Sequence, residues 1–67
     1  MKIELDRDTD ERWIAEVPAL PGVLVYGDSR EEAISKVEAL AFRMVADRIE
    51  HGEAVPEEFD AIFSMSA

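Results

Sequence analysis

The chain has 67 residues, 48% of them hydrophobic, no cysteine and a formal net charge of −9. So short a chain builds one domain, 1–67, around one core. The lack of cysteine excludes disulfides and thiolate metal sites, and the negative charge repels phosphate backbones, so direct nucleic-acid binding is not expected.

Met1, Ile3 and Leu5 alternate with Lys2, Glu4 and Asp6, the period of a strand with one buried face. Residues Asp6 to Glu11 are polar and read as a turn, after which Trp13, Ala15 and Val17 alternate with Arg12, Ile14 and Glu16. The two segments form a hairpin. In the next stretch, Pro18 and Pro21 fix their own backbone angles and push Val17 and Leu20 toward extended conformations. Leu20-Pro21-Gly22-Val23 then reads as a type II turn, with Gly22 supplying the positive φ.

Val23 to Tyr26 is a third strand, apolar on both faces, which suits cover by a helix on one side and by something else on the other. Gly27 and Asp28 end it. Ser29 and Glu32 form a capping box, and the helix they open is expected to run from Arg30 to His51, stopped by Gly52 and Pro56. Its core stripe is Ala33, Ile34, Val37, Leu40, Ala41, Met44 and Val45, spaced as one helical face. Phe42 and Ile49 flank that stripe. Phe59 to Met65 reads as a last strand with Phe59, Ala61, Phe63 and Met65 on one face. The expected fold class is therefore α+β: a three-stranded antiparallel sheet packed on one long helix, then a C-terminal strand.

A domain of this size buries only about 60% of the surface its unfolded chain exposes, so a second copy is the cheapest additional source of stability. Phe42, Ile49, Phe59 and Phe63 are the candidate residues for that oligomer interface, the alternative for Phe42 and Ile49 being burial under the last strand. Catalysis has little to work with, since the single histidine, His51, falls at the predicted helix end, where a cation suits the dipole. Asp6, Asp8 and Asp10 imitate the opening of a calcium loop, but Glu11 and Val17 stand where that loop needs Gly and a bidentate Glu. A solvated hairpin turn is the better reading, and together with Glu11 these acids are candidate contacts for a basic partner. Trp13 and Tyr26 are read as core or interface residues, because a base-stacking platform comes with a basic groove. No enzyme activity, cofactor or metal is expected. No apolar run approaches the roughly 20 residues of a membrane helix and no signal leader is evident, so a soluble, cytoplasmic protein is expected.

From Lys2 to Pro56 the sequence resembles the N-terminal domain of HicB-like antitoxins. The residues that carry the resemblance are the acidic first hairpin, Trp13 ahead of Glu16-Val17-Pro18, the Leu20-Pro21-Gly22 turn, and Gly27-Asp28-Ser29 with Glu32-Ala33 opening a long helix. The resemblance implies a fold related to a truncated ribonuclease H core, assembly through homodimers, and a partner of the HicA type, a small basic mRNA ribonuclease that the antitoxin neutralises. Complete antitoxins of this kind usually add a C-terminal DNA-binding domain. None lies within these 67 residues, so operator binding is not expected of them. The alternative is an orphan homo-oligomeric structural or regulatory module with no toxin partner. A vestigial metal-dependent nuclease is a third possibility, although nothing singles out two of the sixteen acids.

Overall fold

The computed structural model of the chain describes residues 2–8 and 11–60. Strands β1 (Glu4–Arg7), β2 (Trp13–Glu16) and β3 (Leu24–Gly27) form an antiparallel sheet in the order β1-β2-β3, followed by helix α1 (Arg30–Glu50) and a short helical turn α2 (Glu57–Asp60). The architecture is α+β, with α1 laid across one face of the sheet, as the sequence pattern implies.

Register follows from which side chains are hidden. Leu5 pairs with Ala15 and Ala15 with Val25, so the odd-numbered residues of all three strands face the helix. Asp6 and Arg7, expected in a turn, belong to β1 opposite Ile14 and Trp13. Polar residues carry this end of the ladder because each has a partner there. The Arg7 guanidinium lies 5.1 Å from the centre of the Trp13 ring, a cation–π contact that covers the indole where the core ends.

The core draws on the loop between β2 and β3 as much as on the strands. Val17 N–H donates to the Val23 carbonyl (3.1 Å), Leu20 N–H to Val17 (2.9 Å) and Val23 N–H to Leu20 (3.0 Å). Two consecutive turns are thus closed, the second with Gly22 at φ 90 as a type II turn requires. Pro18 and Pro21 face solvent at the turns' outer corners, while Val17, Leu20 and Val23 are almost completely buried. Full burial of side chains of this size contributes about 1.5–3 kcal/mol each relative to exposure.

Helix α1 presents Ala33, Val37, Ala41 and Val45 to the sheet, with Ile34, Leu40 and Met44 half-buried beside them. Ser29 caps its N-terminus, the hydroxyl accepting the Glu32 N–H at 3.1 Å. The Glu32 carboxylate reaches the Lys36 ammonium at 2.8 Å and the backbone of Asp28, and these contacts hold its pKa below the ordinary value. The reciprocal half of the expected capping box therefore lands one residue upstream of the cap. At the other end Glu53 N–H donates to Arg48 O (2.8 Å) and Gly52 N–H to Ile49 O (3.1 Å), with Gly52 at φ 68. This is a Schellman stop. Its C-cap is His51, whose Nδ1 sits 2.7 Å from the Asp47 carbonyl oxygen.

The last described segment departs from expectation. Phe59 and Asp60 lie in α2, not in a strand, and Phe59 N–H donates to the Pro56 carbonyl at 3.0 Å. Pro56 closes a turn that swings Phe59 into the core, where it is the largest fully buried side chain. Alternation of apolar residues cannot distinguish such an anchor from the start of a strand. Residues 61–65 of the expected strand lie outside the described residues.

Gly27 marks the closest approach of helix and sheet. A Cβ there would stand 2.5 Å from the Ala33 backbone nitrogen and 2.8 Å from its Cα, whereas one on Gly22 would meet nothing. Gly22→Ala is expected to cost about 1 kcal/mol, the penalty of a side chain at positive φ. Gly27→Ala is expected to cost several times more, because backbone must move apart. Urea unfolding of the two variants measures the difference, and equal losses would mean that α1 is not seated as described.

Candidate protein-binding face

The even-numbered residues of the sheet point away from α1. Register aligns them in two rows, Glu4–Glu16–Leu24 and Asp6–Ile14–Tyr26. Three carboxylates therefore lie beside three apolar side chains on one face. Leu24 and Tyr26 are 43% and 45% exposed on the edge strand β3, so the face is apolar along β3 and acidic along β1.

The charges on this face are arranged at a cost. Glu4 and Glu16 stand directly opposite one another, and like charges in register destabilise a strand pair. Lys2 relieves the repulsion only from an exposed position, its Nζ being 3.8 Å from Glu4. Asp6 accepts the Arg7 backbone N–H at 2.8 Å. Arg12 borders the face with its guanidinium 4.8 Å from the centre of the Tyr26 ring and its Nη2 3.5 Å from Asp8.

The hairpin loop adds a second feature. Asp8 N–H donates to Arg12 O (2.8 Å) and Glu11 N–H to Asp8 O (3.1 Å), and Glu11 sits at φ 65. This is the position that glycine favours in a three-residue hairpin loop. A non-glycine residue held there stores strain. Its side chain is exposed, and its carbonyl accepts the Arg7 guanidinium at 3.3 Å.

The residues singled out in the sequence fall in separate places. Pro18, Leu20, Pro21 and Gly22 form the β2–β3 loop, and Gly27, Asp28, Ser29 and Glu32 join β3 to α1, so this set supports the fold. Asp6 lies on the outer sheet face and Asp8 and Glu11 in the loop beside it, while Asp10 is outside the described residues. Phe42 and Ile49 are 52% and 54% exposed on the far side of α1. Phe59, grouped with them as an interface candidate, is 1% exposed inside the core and leaves that group. Phe63 is outside the described residues. Trp13 faces the helix and Tyr26 faces away from it, so the two rings share no stacking platform.

No family model, curated protein or solved structure matches this chain. What the site can do rests on its own chemistry. One trio, Asp47, His51 and Glu53, brings ligand atoms within 4.8 Å of one another. All three are exposed, and the His51 contact with the Asp47 carbonyl is accounted for by capping. Among the described residues no helix is long and apolar enough to cross a membrane.

Glu4, Ile14, Glu16, Leu24 and Tyr26 were not identifiable as a site from the sequence. Alternation shows that they point one way, but only the pairing of β1 with β2 and of β2 with β3 makes them neighbours. For Glu11, glycine relieves the positive φ, so Glu11→Gly is expected to stabilise the protein by about 0.5–1 kcal/mol. The urea midpoint would rise at constant slope. A fall in the midpoint would show that the Glu11 side chain itself holds the loop.

Proposed function

We propose that this chain is a non-enzymatic, acidic, self-associating module of the HicB-like kind, which neutralises a small basic ribonuclease of the HicA type in the cytoplasm. The observation that carries the reading is the Glu4–Glu16 pair held in register beside Leu24. Opposed carboxylates repel each other in the free protein and gain when a cationic side chain comes between them. An enzyme's basic surface, shaped to hold RNA phosphates, offers such cations. Leu24, Ile14 and Tyr26 would supply the apolar side of the contact, toward β3, and the acids beside them its steering charge. The fold resemblance to a truncated ribonuclease H core belongs to the same proposal.

An orphan homo-oligomeric module is the second reading, favoured by the exposure of Phe42 and Ile49 on α1. The two readings use different faces. They are separated by asking whether the adjoining reading frame encodes a short basic protein with a single candidate catalytic histidine, and whether that protein copurifies with this one. The toxin-binding reading predicts a complex at micromolar concentration that suppresses RNA cleavage, with an association rate that falls steeply as salt rises. No complex at that concentration, or an association indifferent to salt, would contradict it.

A further inference from the structure

The solvent face of α1 carries a pattern that the sheet does not use. Ser35, Ala39, Phe42, Ala46 and Ile49 are all exposed, and their spacing of four, three, four and three residues is a heptad repeat. The residues that pack on the sheet, Ala33, Val37, Ala41 and Val45, recur every fourth position on the opposite side. One helix thus bears two stripes of different period. A period of 3.5 along a solvent face is the seam by which a helix packs on another helix.

We infer that this seam binds a second copy of the chain, α1 against α1 in antiparallel orientation. Size decides the orientation. The small residues Ala39 and Ala46 hold one heptad position, and Phe42 and Ile49, with Ser35 before them, hold the other. Parallel helices would set Phe42 against Phe42 and Ala46 against Ala46, giving alternately crowded and empty layers. Antiparallel helices set Phe42 against Ala46 of the second copy and Ala39 against its Ile49, so each of the four layers from Ala39 to Ile49 holds one large and one small side chain, and Ser35 lies beyond the overlap. Such alternation is what lets facing layers interdigitate without voids, and alanine allows the close approach.

Charge favours the ends of this arrangement and not its centre. Centred in this way, Lys36 comes opposite Glu50 of the second copy at both ends, while the two Arg43 side chains face each other across the dyad. Lys36 already holds Glu32 on its own helix at 2.8 Å. Arg43 and Glu50 form no ion pair with the described residues. The resulting dimer has its two sheets on the outside and their acidic faces uncovered. A failure of dimerisation would leave the partner-binding reading intact, and an absent toxin would leave the dimer intact.

Sedimentation equilibrium of the full chain is the first test, with a dimer expected at tens of micromolar and a monomer for Phe42→Glu. Ala46→Leu is the sharper variant, because it adds apolar surface while filling the space that Phe42 of the second copy occupies. The seam predicts association at least about tenfold weaker, whereas simple hydrophobic contact predicts tighter association. Circular dichroism of each variant confirms that the helix is retained. The native chain has no cysteine, so Lys36→Cys and Glu50→Cys can be mixed and oxidised, and the mixed disulfide should exceed either homodimer. A monomeric native protein, an unweakened Ala46→Leu dimer, or cross-linking that favours like positions would overturn the inference.

Discussion

Everything in this small protein depends on the burial of Leu20 by two linked turns. Val17, Leu20 and Val23 are three of the five largest fully buried side chains, and they come from a loop, a part of the chain that normally lies on the surface. The arrangement is possible because the loop satisfies its own backbone. Three hydrogen bonds join Val17, Leu20 and Val23 to one another, leaving the prolines, which have no N–H to satisfy, at the exposed corners. In a domain too short to build a deep core from strands alone, the loop contributes what the sheet lacks.

The same loop determines what the outer surface looks like. By joining the end of β2 to the start of β3 with a fixed number of residues, it places Leu24 opposite Glu16, and β1 adds Glu4 on the far side. A slip of one residue would turn the apolar set outward and dissolve the row. Helix α1 is similarly constrained on one side and available on the other. Gly27 brings it against the sheet through Ala33, which fixes its rotation and leaves Phe42 and Ile49 facing solvent. Two unlike surfaces result, an acidic sheet face suited to a basic partner and a heptad seam suited to a second copy.

The sequence carried the fold to the extent that local chemistry decides it. Pro18, Pro21 and Gly22 dictate the turns, Ser29 opens the helix, Gly52 closes it, and the stripe from Ala33 to Val45 finds the sheet. Where two local readings were equally good, tertiary packing chose. Phe59 fits a strand by alternation but is drawn into the core by a turn at Pro56, and Arg7 fits a turn by polarity but stays in β1 over Trp13. The candidate site was the least legible part. Glu4, Glu16 and Leu24 are ordinary residues separately, and their relation exists only through cross-strand register. Strain at Glu11 was equally hidden, since nothing in a run of acids marks the one with positive φ.

Glu16→Lys tests the account most directly, with folding stability and affinity for the basic partner measured on the same preparation. The substitution replaces a repelling pair with an attracting one across β1 and β2, so stability is expected to hold or rise by about 0.2–1 kcal/mol. Affinity is expected to fall at least about tenfold, since one carboxylate is lost and a like charge faces the partner's cations. Stability that falls while affinity is unchanged would contradict the account, because Glu16 would then serve the fold and not the surface.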